Sequence, residues 1–180
     1  VLGADGNARS LCKLINREDA LKECSSTPGK ENIKNTSYQL RINELFPNPR
    51  GDDSAVPPLG EWIELYNPSE GKISLEGFSL RDDFGRTIFI SDTQTLGSTI
   101  IDGKGVVTVY IGSYSGFLNN EDFESVTLLD PEGIEVDKVS YSGSGEDVSW
   151  SFIQNRWFMT DPTPSKTNPS LDNALDTDSK

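Results

Sequence analysis

Short runs in which apolar and polar residues alternate recur along the chain between residues 38 and 159. The clearest run, residues 61–66, is bounded by Gly60 and by the turn sequence Asn67-Pro68. Because side chains alternate across a strand, Ile63 and Leu65 share one apolar face, and the other face carries Trp62, Glu64 and Tyr66. The pattern predicts an interior strand of an antiparallel sheet, with one buried face and one half-exposed face.

Similar β-rich runs lie along the rest of this stretch, separated by turns rich in Gly, Pro, Asp and Asn. No helical periodicity lies between them. The predicted strands are residues 38–45, 75–82, 86–90, 106–111, 125–129, 135–141, 149–153 and 156–159. Eight or nine short strands of this kind predict an all-β, immunoglobulin-like β-sandwich.

The one helical signal lies in residues 8–24, where Leu11, Leu14 and Ile15 have helical spacing. A continuous helix would separate Cys12 and Cys24 by about 18 Å, whereas a disulfide needs Cα atoms within about 7 Å. We therefore predict a break near residue 16, a short helix at about 17–24, and a Cys12–Cys24 disulfide. Two free thiols in a reducing compartment are the alternative.

These patterns divide the chain into three parts. Residues 1–37 form an N-terminal extension with the short helix and a linker, and residues 38–164 form the sandwich. Residues 165–180 are polar and acidic, and are predicted to be a flexible tail.

Charge and composition narrow the functional classes. The chain has 16 basic residues, 29 acidic residues and no histidine, which gives a net charge of −13. Nucleic-acid binding is disfavoured, because it depends on Lys and Arg that neutralise phosphates. No apolar run approaches the roughly 18 residues that a membrane-spanning helix needs. A histidine-based catalytic triad and a histidine-ligated metal are excluded.

The order of several motifs resembles the lamin tail domain family. They are Ile42-Asn-Glu-Leu45, Gly60-Glu-Trp-Ile-Glu-Leu-Tyr-Asn-Pro68, Leu75-Glu-Gly-Phe-Ser-Leu-Arg-Asp82, Val126-Thr-Leu-Leu-Asp-Pro-Glu-Gly133 and Pro162-Thr-Pro-Ser-Lys-Thr-Asn168. The family's usual ending has Gly after Thr-Pro, and Ser165 stands there in this chain. The resemblance implies an immunoglobulin-like sandwich without catalytic residues. Its prokaryotic relatives look like modules of exported or cell-surface proteins.

Two sets of residues are candidates for binding. Asp82, Asp83, Glu121 and Asp122 lie in predicted turns and supply the oxygen ligands that Ca²⁺ takes, although stabilisation of the turns is the simpler explanation. Trp62, Tyr66 and Trp157 are candidate contacts of an aromatic binding patch, with core packing as the alternative. We expect no catalytic residues and no cofactor other than Ca²⁺.

We therefore expect a non-enzymatic interaction or structural module of a secreted or cell-surface protein. It would bind protein partners, including copies of itself, through its loops or sheet edges. The alternative is an accessory domain of a larger secreted hydrolase, such as a nuclease or phosphatase, whose catalytic part is absent from this chain.

Overall fold

A computed structural model describes residues 9–13, 21–25, 38–112, 114 and 116–170. By its internal contacts the chain divides into two units, Val1–Ser37 and Tyr38–Lys180. For the first unit only the backbone of its two strands is described.

The described part of the N-terminal unit is a β-ribbon. Strand β1 (Arg9–Lys13) pairs antiparallel with strand β2 (Leu21–Ser25). The predicted helix is therefore wrong over residues 21–24, and the predicted break near residue 16 lies outside the described residues. A helix of about eight residues is marginal in water, whereas two five-residue strands satisfy each other's backbone groups. Cys12 lies opposite Lys22 and Cys24 opposite Ser10. The disulfide stays a prediction.

The second unit contains the predicted sandwich, built on two antiparallel sheets. The strands are β3 (Arg41–Phe46), β4 (Trp62–Tyr66), β5 (Ile73–Ser74), β6 (Ser79–Arg81), β7 (Thr87–Phe89), β8 (Ile100–Ile101), β9 (Val106–Tyr110), β10 (Phe123–Leu129), β11 (Glu135–Ser142), β12 (Ser149–Ile153) and β13 (Arg156–Thr160). One sheet has the order β13-β12-β3-β4-β9 and the other β11-β10-β6-β7. β5 and β8 form a separate pair, and a single-turn helix, α1 (Asp92–Thr95), follows β7.

One hydrophobic core joins residues of the two main sheets. The predicted inward face of β4 is confirmed, since Ile63 and Leu65 are fully buried. Side chains of the four-stranded sheet in the same core include Leu80, Val126 and Leu128. Alternation in β4 and β10 therefore reflects a real division between a core face and an outer face.

The second face of β4 differs from the prediction, because it is buried and not half exposed. Trp62 is 3% exposed and Glu64 is 0% exposed. Trp62 stacks on Phe46 with 5.3 Å between ring centroids, and Tyr110 completes this small apolar cluster. Further along the strand, residues 163–165 cover Glu64. The sheet therefore has covering structure on both faces over the length of β4.

A β-bulge in β3 sets which residues face this outer surface. The pairing of β3 with β4 changes register between Ile42 and Glu44, so that Asn43 is the extra residue. Beyond the bulge, Leu45 enters the core and Glu44 lies directly opposite Glu64. The bulge therefore places two carboxylates side by side on the outer face.

Candidate functional site

The two carboxylates brought together by the bulge form the first candidate site, which we call the carboxylate pair. Glu44 and Glu64 are both 0% exposed. Like charges directly opposite each other in a sheet are destabilising, and burial adds the loss of hydration. A pair in this position therefore needs hydrogen-bond donors around it.

Most of those donors come from residues 161–168, which we call the C-terminal strap. Glu44 accepts the backbone N–H of Thr163 at 3.0 Å and the Thr163 hydroxyl at 2.7 Å. It also accepts the hydroxyl of Ser149 at 2.5 Å. These contacts bind the strap to β3 and β12, and they give Glu44 three hydrogen bonds in place of water.

Glu64 binds the next part of the strap. Its Oε2 accepts the backbone N–H of Ser165 at 2.8 Å, and its Oε1 accepts the side-chain amide of Asn43 at 2.9 Å. The pKa of Glu64 is raised to about 7, mainly by burial and also by the charge of Glu44, while the Asn43 and Ser165 hydrogen bonds oppose the rise. The strap therefore rests on a carboxylate that titrates near neutral pH.

Ser165 and Asn168 fix the path of the strap. Ser165 has φ of 60°, a left-handed conformation in which glycine is the common residue. Its N–H contact with Glu64 and its hydroxyl contact with Thr108 at 3.0 Å hold that conformation. Asn168 donates to the carbonyls of Asn43 and Phe152 at 3.0 and 2.9 Å. The tail predicted to be flexible from residue 165 is thus bound to the sheet as far as residue 168.

A cleft of about 480 Å³ opens beside the strap. Its walls include Tyr66 at the end of β4, Lys104 in the turn before β9, Phe152 on β12, and Lys166 and Thr167 on the strap. Asn43 and Asn168, which donate to each other and to the sheet, form part of its floor. This cleft is the place where the predicted contact Tyr66 lies, and Tyr66 is half-buried there.

A second group of residues surrounds the opposite end of β4. It consists of the loops 52–61 and 82–86, of Tyr114, and of the segment 116–124, which includes the start of β10. We call these residues the loop end. Glu61 is 0% exposed, and its Oε2 accepts the N–H of Leu118 at 3.2 Å. Its Oε1 has no hydrogen-bond partner among the described residues. Burial raises the pKa of Glu61 to about 9, with the Leu118 N–H opposing the rise.

Side-chain hydrogen bonds connect the loops at this end. The Asn120 amide donates to Asp53 at 3.0 Å, which joins the connection before β10 to the loop before β4. The Asp83 N–H donates to Glu124 at 3.0 Å, which joins the β6–β7 turn to β10. The guanidinium of Arg86 contacts both the Asp82 carboxylate and the Gly116 carbonyl. The loops therefore form one connected surface.

Gly60 shows how closely the loop before β4 folds on itself. Its φ is 78°, and a Cβ there would lie 2.6 Å from the carbonyl oxygen of Asp53 and 2.9 Å from that of Ala55. Only glycine fits this approach. The sequence Leu59-Gly60 thus turns the chain into β4 while leaving Leu59 at the surface, 65% exposed.

Three further apolar side chains are exposed at the loop end. Phe84 is 76% exposed, Phe123 is 60% exposed and Tyr114 is 47% exposed. The ring of Phe84 lies under the guanidinium of Arg86, 5.5 Å from its centroid. Apolar side chains in solvent on loops that are fixed by hydrogen bonds are typical of a binding surface.

The predicted aromatic contacts Trp62, Tyr66 and Trp157 do not form one patch. Trp62 is buried at the loop end of β4, so the prediction that it contacts a ligand directly is wrong. Trp157 is half-buried, packs against the core and lies 5.4 Å from the ring of Phe152. Both tryptophans follow the core-packing alternative because each has aromatic or apolar neighbours on its own sheet.

The predicted calcium ligands lie at the loop end in different roles. Asp82 is 5% exposed and contacts Arg86, while Asp83 accepts the Ser125 hydroxyl at 2.7 Å. Glu121 and Asp122 are exposed in front of β10. Within the described residues, no three acidic or cysteine side chains are placed to hold a metal ion. Calcium binding at these positions stays a prediction.

Sequence reasoning missed Glu44 and Asn168, which build the strap contact. Both lie in motifs that the resemblance used, Ile42-Asn-Glu-Leu45 and Pro162-Thr-Pro-Ser-Lys-Thr-Asn168. The sequence did contain one indication, which is the acidic residue Glu44 in a strand that was predicted to pack on the core. Simple alternation does not reveal the bulge that turns Glu44 outward.

Comparisons with known proteins address the fold and the family. No curated protein matches the sequence. Among solved structures, the chain is similar to the archaellum periplasmic stator protein FlaG from Sulfolobus acidocaldarius, with 16% identity over 57% of this chain and 98% of that chain. The TM-score is 0.35, too low to support an argument about function.

The family comparison is specific. Residues 34–143, more than half of the chain, match the family model of the Lamin Tail Domain. The matched range contains β3 to β11, and β12, β13 and the strap follow it and complete the five-stranded sheet. The chain therefore belongs to the lamin tail domain family.

Proposed function

We propose that this chain is a non-enzymatic interaction module of an extracellular or cell-envelope protein, and that it binds protein partners through the loop end. The observation that supports this most directly is the set of exposed apolar side chains, Leu59, Phe84 and Phe123, on segments that hydrogen bonds join to one another. Membership of the lamin tail domain family favours the same non-catalytic class.

Fixed loops favour binding because association then costs less conformational entropy. Asp53, Asp83, Arg86 and Asn120 hold the three loops by hydrogen bonds before any partner arrives. Phe84 and Phe123 supply large apolar area of the kind that dominates binding energy. The surrounding Glu121 and Asp122 favour a partner with basic groups around an apolar contact.

The carboxylate pair supports the non-enzymatic interpretation. Two adjacent carboxylates with different proton affinities are a common acid–base arrangement, so Glu44 and Glu64 invite that comparison. Both are fully buried, and their oxygens accept hydrogen bonds from Thr163 and Ser165 of the strap. The two carboxylates therefore bind the protein's own strap at the place where a substrate would have to contact them.

A second copy of the chain is one candidate partner. Strand β13 is at the edge of the five-stranded sheet and pairs with β12 alone among the described strands. Its residues Trp157, Phe158 and Met159 are half-buried, and the strand has a regular register with β12. An edge of this kind favours strand addition by another chain.

The alternative function is an accessory domain of a larger secreted hydrolase, with the catalytic part on another segment of the full protein. The location outside the cytoplasm is part of the proposal in both cases and is supported by the predicted disulfide. The net charge of −13 opposes nucleic acid as the partner. No helix in the described residues is long and apolar enough to cross a bilayer.

The loop end can be tested with the double variant Phe84→Ser/Phe123→Ser. Wild-type protein is immobilised and exposed to the envelope fraction of the source cells, and its self-association is measured by sedimentation. We expect at least one envelope protein to bind wild type about tenfold more tightly than the double variant, whereas self-association through β13 should be the same in both.

Phe89→Ser is the matched control, because Phe89 is 69% exposed on β7 and lies outside the loop end. It should bind as wild type does. Equal binding by wild type and the double variant would remove the loop end from the proposal. No binding to any envelope protein, together with a monomer at all concentrations, would overturn it.

A further inference from the structure

The cleft beside the strap carries a positive charge that contrasts with the rest of the chain. The protein has 29 acidic and 16 basic residues, yet the cleft is lined by Lys104 and Lys166 and by no carboxylate. Glu64 lies close by but is fully buried, and its oxygens accept from Asn43 and Ser165. An anion in this cleft would meet two ammonium groups and no carboxylate of the lining, while the exposed carboxylate of Glu70 lies outside the lining, 3.2 Å from the Lys104 ammonium.

The two lysines differ in how firmly they are held. The Lys104 ammonium donates to the Pro68 carbonyl at 2.6 Å and lies 3.2 Å from Glu70. An ammonium has three N–H donors, so these contacts leave one for a ligand. Lys166 has no ion-pair partner among the described residues. Lys104 therefore offers an N–H donor that is held in position, and Lys166 offers an ammonium group that can adjust to a ligand.

The other walls favour a compact ring over a flexible chain. Tyr66 and Phe152 contribute aromatic surface, and Thr167 contributes a hydroxyl-bearing side chain. The volume of about 480 Å³ lies in the range of about 300–1,000 Å³ found for small-molecule sites. A pyranose ring has apolar faces for the aromatic surface and hydroxyls for the polar groups around it.

The cleft is also built rigidly. Asn168 accepts from the Asn43 amide at 2.9 Å and donates to the Phe152 carbonyl at 2.9 Å, which ties the strap to both neighbouring strands. Gly105, which lines the cleft, accepts the Asn67 N–H at 3.0 Å through its carbonyl. A ligand therefore meets walls that are already in place.

We propose that this cleft binds an acidic carbohydrate, a pyranose that carries a carboxylate. The carboxylate lies between the ammonium groups of Lys104 and Lys166, and the ring lies against Tyr66. A single carboxylate suits two lysines on a protein with a net charge of −13 better than a polyphosphate does. This site is separate from the loop end and does not depend on protein partners there.

The test uses digalacturonic acid as the probe and its methyl ester as the uncharged match of equal ring structure. Backbone amide shifts are followed by NMR at low ionic strength. We expect the acid to move the amides of Gly105, Lys166 and Thr167, and to bind at least about tenfold more tightly than the ester. Added salt should weaken the binding of the acid.

Variants of the two lysines test whether their ammonium groups bind the carboxylate of the acid. Lys104→Gln/Lys166→Gln should weaken the acid about tenfold or more and leave the ester unchanged. Lys138→Gln is the matched control, because Lys138 is exposed on β11 and does not line the cleft. The amide spectrum of each unliganded variant reports whether the sandwich and strap are intact.

Three outcomes would overturn the proposal. The first is the absence of shifts at cleft amides at millimolar acid, and the second is equal affinity for the acid and its ester. The third is equal binding of a diglutamate peptide, which would show that the cleft recognises carboxylates without regard to the sugar ring. None of these outcomes bears on binding at the loop end, which is measured with Phe84 and Phe123 variants.

Discussion

Glu61 and Glu64 are three residues apart in sequence and both fully buried, but their carboxylates have different hydrogen-bond partners. Glu64 has hydrogen-bond donors at both oxygens, and its pKa is about 7. Glu61 has one donor at 3.2 Å and one oxygen without a partner, and its pKa is about 9. Burial is the main cause of the raised pKa of both groups, and the hydrogen-bond donors and charges around each carboxylate set the difference between them.

The difference follows from what covers each end of β4. The strap supplies backbone N–H groups at fixed spacing to the carboxylate pair, through Thr163 and Ser165. The loop end supplies the Leu118 N–H and brings Asp53 and Glu124 near Glu61, and their charges raise the pKa of Glu61 further. Donors from a covering segment therefore limit the rise in the pKa of a buried carboxylate, whereas acidic neighbours add to that rise.

The largest effect should come from removing Glu44, the partner of Glu64 in the carboxylate pair, which accepts three hydrogen bonds. Glu44→Ala leaves the N–H and the hydroxyl of Thr163 without their acceptor in a buried site and removes the shortest contact of the Ser149 hydroxyl, which keeps Thr160 as a partner. We expect the free energy of unfolding to fall by about 3–5 kcal/mol. Urea denaturation followed by fluorescence measures this change.

Glu76→Ala is the control for Glu44→Ala, since Glu76 is exposed and should change stability by less than about 0.5 kcal/mol. The strap amides should also lose protection from hydrogen exchange in Glu44→Ala. A loss of stability no larger than that of the control would mean that the contacts of Glu44 with the strap do not stabilise the fold.

The second effect concerns Glu61 and depends on pH. Its pKa is raised from 4.5 to about 9 on folding, so the folded state binds more protons than the unfolded state between these values. This contribution to stability is fully present below pH 4.5 and is lost as pH rises through 9. Glu61→Gln removes the titration and should flatten the fall in stability.

The expected effect of Glu61→Gln on stability is large because the pKa values of Glu61 in the unfolded and folded states, 4.5 and about 9, are far apart. Relative to wild type, Glu61→Gln should gain on the order of 2–4 kcal/mol between pH 5 and pH 8. Chemical denaturation at several pH values gives the slope. A variant curve parallel to that of wild type over this interval would show that Glu61 is ionised in the folded protein.

The core and its alternation were accessible from sequence because they depend on local periodicity. Ile63 and Leu65 were placed in the core correctly. Glu64 and Trp62 were placed on a half-exposed face because the segments that cover them lie elsewhere in the chain, at Thr163–Ser165 and at Phe46 and Tyr110. Burial by residues that are distant in the sequence leaves no pattern in the local sequence.

Two other features were hidden for related reasons. The bulge at Asn43 changes the face of every following residue in β3, and a run such as Ile42-Asn-Glu-Leu45 is compatible with either register. In the N-terminal unit, helical spacing of a few leucines competes with strand pairing, and the pairing of β1 with β2 depends on a partner ten or so residues away. Periodicity therefore predicted the sandwich and the core face, and contacts between distant segments determined the site.

The smallest effect tests the coupling within the carboxylate pair. The charge of Glu44 is one of the causes that raise the pKa of Glu64, so Glu44→Gln should lower that pKa by about 0.5–1 pH unit. The Ser165 amide, which donates to Glu64, reports the titration by NMR, with a midpoint near pH 7 in wild type. Glu76→Gln leaves the outer face untouched and should not move the midpoint. An unchanged midpoint in Glu44→Gln would assign the raised pKa of Glu64 to burial alone and would leave the two carboxylates independent, although they are paired directly across the strands.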